Sequence, residues 1–158
     1  MRLTNTKLSV YITSIVPGKL SALIRLMKSP YSVKELFKTG EGEVSILDNL
    51  GRLTDFKGVF VLLNEQKPVY VGHSKSVIKR LINDLKGASS YKSKLLRNIA
   101  KRDRLFLDQK GKYLDLESSR NLMRSFDVAF IEVNPPIERR ILFLYALAGF
   151  KCKYNRMR

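Results

Sequence analysis

Arg80 stands where it can do chemistry. It follows Tyr70-Val71-Gly72 by eight residues, and nine residues separate that tripeptide from Gly58-Val59-Phe60. A guanidinium is suited to phosphate, because its rigid fork of N–H donors matches two phosphate oxygens at once. A phenol (Tyr70) lies just before it, a carboxylate (Glu138) lies far downstream, and Asn155 comes later still. Other chemistries are excluded by count. Cys152 is the single cysteine and His73 the single histidine, so a cysteine-based zinc cluster, an internal disulfide and a paired-histidine mechanism are all ruled out.

The charge agrees with a phosphate-bearing partner. The 158 residues hold 30 Lys+Arg against 14 Asp+Glu, a formal +16. The excess is concentrated: residues 75–112 hold twelve basic and three acidic side chains. A field of this kind favours polyanions. At 44% apolar and 28% charged, the chain has the composition of one globular domain. Its longest apolar run, 141–150, is about half of what a bilayer-spanning helix needs, so a membrane partner is not expected.

The elements that must position these groups are read from periodicity. Leu8, Val10 and Ile12 alternate and predict a short strand, and Pro17-Gly18 predicts a turn. Helical spacing runs from Leu20 to Met27 and stops at Pro30. Residues 31–38 read as a helical piece, and 39–57 as a connector with a short helix at 45–50. Residues 1–57 are taken as an N-terminal extension of unknown role, and 58–158 as the functional domain. Gly58–Leu63 and Val69–Val71 predict a hairpin. The next helix, with Ser74 as its expected N-cap, buries Val77, Ile78, Leu81, Ile82 and Leu85 and turns Lys79 and Arg80 to water. Gly87 should end it. A helix over about 90–104 then carries Lys94, Arg97, Lys101 and Arg104 as a basic stripe. A short helix at 114–124, a third strand at 127–133 and a last helix after Pro136, apolar nearly all round and therefore central, complete the chain. The fold class is α/β, with a small, mainly antiparallel three-stranded sheet flanked by helices.

The strand, turn, strand ending in Tyr70-Val71-Gly72, and helix with outward Arg80 resemble the GIY-YIG nuclease family over about residues 58–158. The resemblance implies a metal-dependent endonuclease that hydrolyses phosphodiester bonds of DNA. Tyr70, Arg80 and Glu138 would be catalytic, with Glu138 holding Mg²⁺ (or Mn²⁺), which needs only one or two carboxylates plus substrate oxygens. Glu132 is the fallback ligand. Gly58, Phe60, Gly72 and Asn155 would order the site. His73, Lys75 and Lys79, with Lys94, Arg97, Lys101 and Arg104, are the candidate nucleic-acid contacts.

Each residue has an ordinary alternative. Arg80 could be an i,i+4 partner of Asp84, Glu138 a first-turn acid, Tyr70 a core aromatic, His73 a surface histidine and Asn155 a polar tail residue. Two positions depart from the family. Phe60 stands where the first motif normally ends in Tyr, and a missing general base costs about 10²–10⁴-fold. Asp84 stands where a Tyr or His is frequent, and is read as a substitute base, a second metal ligand or a neutraliser of Arg80. Tyr91 and Tyr113 are possible stand-ins for the lost hydroxyl. Two other functions therefore stand beside the enzyme: a degenerate domain that binds nucleic acid without cutting, and a basic structural protein of a ribonucleoprotein. The expected partner is nucleic acid, DNA rather than RNA. The expected state is a monomer or homodimer, cytoplasmic and nucleoid-associated when bound to DNA.

Overall fold

A computed structural model describes residues 5–38, 40–86 and 93–155. Its frame is one antiparallel sheet of four strands: β1 (Tyr31–Ser32), β2 (Gly58–Asn64), β3 (Lys67–Ser74) and β4 (Asp127–Glu132), in the order β1-β4-β2-β3. The predicted hairpin is β2–β3, with Gly58 opposite Ser74 and Phe60 opposite Gly72. The sheet has one strand more than expected. Two residues after Pro30 are too short to show alternation, yet Tyr31 pairs with Val128 and Ser32 with Asp127.

Helices cover both faces. On one face lie α2 (Val16–Leu26) and α8 (Pro136–Phe150), packed on Val59, Val61, Val71 and Ala129. On the other lie α3 (Val33–Leu36), α4 (Glu43–Asn49), α5 (Val77–Lys86), α6 (Lys94–Arg102) and α7 (Leu116–Arg124), packed on Phe60, Leu62, Tyr70 and Val128. A strand covered on both sides reads as an unbroken apolar run rather than an alternating one. Gly58–Leu63 has that pattern, and each of its residues is buried. Side chains from residues 16–56 belong to both cores, among them Val16, Leu23, Val33, Ile46 and Phe56.

Several local expectations fail for identifiable reasons. Residues 8–12 are helical, not a strand: α1 (Asn5–Val10) passes through a π-helical turn at Tyr11–Ile15 into α2. Pro17, expected to turn the chain, sits in the first turn of α2, where its missing N–H is tolerated. The ladder re-registers just before it, with Val16 N–H bonding the Tyr11 carbonyl five residues back. Residues 31–38 begin as strand, and Ser32 then caps α3 by accepting from Glu35 N–H at 3.4 Å. The last helix is not central. Leu142 and Ala146 face the sheet, while Leu144 (58% exposed) and Tyr145 (39%) face solvent.

Strand direction fixes where the helices start. β2 begins, and β3 and β4 end, at one end of the sheet, because Gly58 pairs with both Ser74 and Glu132. α5 and α8 therefore leave that same end, one over each face. The element carrying Arg80 and the element carrying Glu138 flank the β3 edge from opposite sides.

Candidate active site

The open edge of β3 is closed by the tail of the chain. Asn155 accepts from Val71 N–H and donates to the Val71 carbonyl, both at 2.8 Å, so its amide takes the place of a neighbouring strand. Tyr154 N–H adds a bond to the Val69 carbonyl at 2.9 Å. Beside this seam runs a groove of about 650 Å³ lined by Tyr70, Lys94, Arg97, Asn98, Lys101, Phe143 and Asn155. One wall is the basic stripe of α6 and the other is α8, through Phe143.

The α6 wall is built by its cap and its amphipathic pattern. Ser93 Oγ accepts from Leu96 N–H at 3.2 Å and starts the helix. Leu95, Leu96 and Ile99 are buried, which turns Lys94, Arg97 and Lys101 toward the groove. The helix ends at Arg102, with Asp103 as its C-cap. Arg104, expected as the fourth member of the stripe, is past the end with φ +54° and does not line the groove.

Tyr70 connects the groove to Arg80. Its hydroxyl sits beside the guanidinium, and burial raises its pKa more than the arginine lowers it. The phenol therefore keeps its proton at neutral pH and can donate or accept a hydrogen bond. Arg80 Nε donates to Asp84 Oδ2 at 2.9 Å. Burial works against the Arg80 charge, but Asp84 and Tyr70 more than offset it, and the pKa moves up. The other Asp84 oxygen is engaged too: Oδ1 accepts from Ser93 Oγ at 2.8 Å, and the residue is buried. Of its three readings, the geometry makes Asp84 the partner of Arg80.

Arg80 owes its place to a residue that local sequence does not point to. The α5 amides are capped by Asp55, whose carboxylate accepts from Ile78 and Lys79 N–H, each at 3.0 Å. The side chain of Ser74, the expected cap, bonds among the described residues to the backbone of Ser76 instead. Lys75 and Lys79 are exposed around the start of α5.

Glu138 lies in the first turn of α8, 9% exposed, on the stripe with Leu142 and Ala146. It is not a groove-lining residue. It precedes Phe143, which is, by five residues, or about 7.5 Å of helix rise. Among the described residues its carboxylate makes no hydrogen bond or ion pair. Its oxygens are not sealed from solvent, so they are open to a cation from outside. A cation held by one carboxylate, with water and substrate oxygens completing its shell, fits this position. The fallback, Glu132, is engaged: it accepts from Arg52 at 2.9 Å and Asn134 at 3.0 Å, and Arg52 holds its pKa below the ordinary value.

His73 packs on Phe143 at 4.7 Å between ring centroids. Burial, then Arg139, Arg140 and Arg80, lowers its pKa, so at neutral pH it offers phosphate a hydrogen bond but no charge. Phe60 is fully buried and tilts against Tyr70 at 6.0 Å. Gly72 lies under the Phe60 ring, and Gly58 lies against the Ile131 carbonyl, each leaving no room for a Cβ. Tyr113 sits on the loop after α6, outside the groove; Tyr91 and Gly87 lie outside the described residues. Asn98 and Phe143 were not anticipated. Asn98 shares the α6 face of Lys94 and Lys101 at i+4 and i−3, a signal open to reading, and it holds the Tyr154 carbonyl at 2.9 Å.

The arrangement is that of an α/β domain with a cationic groove along a sheet edge. No protein-family model and no curated protein matches the chain. Among solved structures, it is similar in fold to the GIY-YIG N-terminal endonuclease domain of UvrC from Thermotoga maritima bound to its catalytic divalent cation, magnesium. The identity is 22% and the TM-score 0.41, over 66% of this chain and 89% of that one. A tyrosine-to-phenylalanine point mutant of the same domain gives 21% identity and a TM-score of 0.42, over 74% and 100%.

Proposed function

We propose that this protein is a divalent-metal-dependent endonuclease that hydrolyses phosphodiester bonds of DNA at the β3-edge groove. One observation carries the reading: Tyr70, in contact with Arg80, opens onto the same groove as Lys94, Arg97 and Lys101. Those cations neutralise backbone phosphates and hold the strand along α6. Arg80, whose Nε donates to Asp84 and whose guanidinium sits beside the Tyr70 hydroxyl, would meet the scissile phosphate with its remaining N–H donors. Tyr70, protonated, orients a water or a phosphate oxygen by its hydroxyl. Asn155 keeps the β3 backbone, and with it Tyr70, in register. Glu138 would hold Mg²⁺ or Mn²⁺, which when bound supplies charge stabilisation and a more acidic water.

The test is cleavage of plasmid and of labelled duplex oligonucleotides with Mg²⁺ or Mn²⁺. Wild type should nick, and Glu138→Ala and Arg80→Ala should each lose most of the activity. Equal residual activity in wild type and both variants would refute the enzyme.

A second reading has its own support. Phe60 has no hydroxyl and is fully buried, and both oxygens of the buried Asp84 already accept hydrogen bonds from Arg80 and Ser93, so neither residue presents a free base. A domain built this way could bind nucleic acid and not cut it. Metal-independent binding without cleavage in wild type, with cleavage gained in Phe60→Tyr, would favour that reading. Tight RNA binding without duplex DNA affinity would favour the ribonucleoprotein role.

A further inference from the structure

The chain between α6 and α7 makes a small hairpin-like loop that the groove does not use. Leu107 N–H donates to the Tyr113 carbonyl at 3.0 Å, and Asp115 N–H to the Leu105 carbonyl at 3.0 Å. Phe106 and Leu114 form a β-bridge between these bonds. Asp108 closes the turn, its side chain accepting from Lys112 N–H at 2.7 Å and its carbonyl from Gly111 N–H at 3.2 Å. Gly111 takes φ +68°, and its bare α-carbon lies against the Phe106 ring. The loop is thus ordered by its own bonds.

What it presents is unusual. Leu107 is 72% exposed, Tyr113 53% and Phe106 38%, all on one short loop. Large apolar groups gathered at an exposed point mark an interaction site. Their setting is cationic: Arg104, Lys110 and Lys112 flank them, and Lys112 Nζ stands 5.5 Å from the Tyr113 ring centroid. Flat apolar rings among cations fit a polyanion that carries flat apolar faces, namely nucleobases on a phosphate backbone. The loop also has a fixed position relative to the groove. It springs from the end of α6, and Asp103 at its root binds Lys153 and accepts from the Tyr154 hydroxyl at 2.6 Å, in the tail that carries Asn155.

We infer that the loop over residues 105–115 is a base-stacking finger, with Tyr113 and Phe106 as stacking faces and Leu107 as an apolar tip. It favours nucleic acid with unpaired bases, such as single strands and forks, over intact duplex. A paired base has its faces covered by neighbours, whereas an unpaired base offers its face to the ring. This rests on the groove being a nucleic-acid site and adds the class of substrate it prefers.

The test measures anisotropy of labelled single strand, fork and intact duplex over a salt series. Tyr113→Ala should weaken single-strand and fork binding by roughly 5- to 150-fold, the worth of one stacked base. It should leave duplex affinity within about twofold, and leave the salt slope unchanged because no phosphate contact is lost. Tyr113→Phe, which keeps the ring, should bind like wild type. Lys101→Ala should instead lower the salt slope on all three ligands. Equal binding of all three ligands by wild type and Tyr113→Ala, or an equal loss on all three, would overturn the finger while leaving the groove in place. Failure of wild type to bind any of them would overturn the groove reading and the finger with it.

Discussion

Gly72→Ala tests the packing at the centre of the site. A Cβ at Gly72 would stand 2.3 Å from Phe60 Cζ, with two further ring carbons at 2.6 and 2.9 Å. Ordinary carbon contacts need about 3.5 Å, so the ring must retreat by about 1.2 Å. It has nowhere to go, being fully buried between Tyr70 and the α5–α7 side of the core. Overpacking of this kind costs about 1–3 kcal/mol, and the lower unfolded-state entropy of alanine returns about 0.4–1 kcal/mol. A net loss of about 1–2 kcal/mol lowers Tm by roughly 2–8 °C in a domain of this size. The decisive assay is a double-mutant cycle by urea unfolding at constant m-value. Phe60→Leu, whose side chain stops short of Gly72, destabilises by itself but should relieve the clash. The double variant should then be more stable than the sum of the singles by about 1–2 kcal/mol. Additivity within about 0.5 kcal/mol would refute the proposed contact.

Other outcomes follow from the same geometry. Mg²⁺ at a hundredfold excess over its dissociation constant should stabilise wild type by about 2.7 kcal/mol in thermal scans and leave Glu138→Gln unchanged. Asp84→Asn should lower the urea midpoint by the equivalent of about 1–2 kcal/mol, discounted because Arg80 is partly exposed, while raising DNA affinity as the guanidinium is released. At alkaline pH, Tyr70 and Tyr154 hold their protons above the ordinary phenol value, both chiefly through burial, Tyr154 also through Asp103. Burial likewise pushes the Cys152 thiol up to about 11. The unfolded chain releases those phenol protons first, so stability should fall as pH rises past about 10. Tyrosinate absorbance of the two phenols should then rise together with loss of far-UV dichroism. His73 acts at the other end: with its folded pKa lowered, the unfolded chain binds the extra proton, and stability should decline as pH drops below about 6.5.

The hairpin and β4 were legible as short apolar runs bounded by turn residues, and α5 and α6 as periodic apolar patterns. The basic wall of the groove was legible for the same reason, since burying Leu95, Leu96 and Ile99 turns Lys94, Arg97 and Lys101 outward together. What escaped depends on partners distant in sequence. The cap of α5 comes from Asp55, 23 and 24 residues before the amides it holds. β1 exists only because β4 is there to pair with it. The N-terminal helix was hidden by chance alternation at Leu8, Val10 and Ile12 and by a proline that re-registers the ladder without ending the helix. The exposure of Leu144 and Tyr145 could not be told from composition, because a helix lying on a sheet and one enclosed by others can be equally apolar.

The amide of Asn155 has a colloidal consequence. β2 is a seven-residue apolar strand, the kind of segment that templates cross-β stacking when its sheet presents a bare margin. Here one margin ends in a two-residue strand, and the other is occupied at Val71 by a side chain imitating backbone. Substituting Asn155 would uncover the Val71 N–H and carbonyl on that margin, and preparations of such a variant should turn turbid at concentrations where the parent protein stays clear.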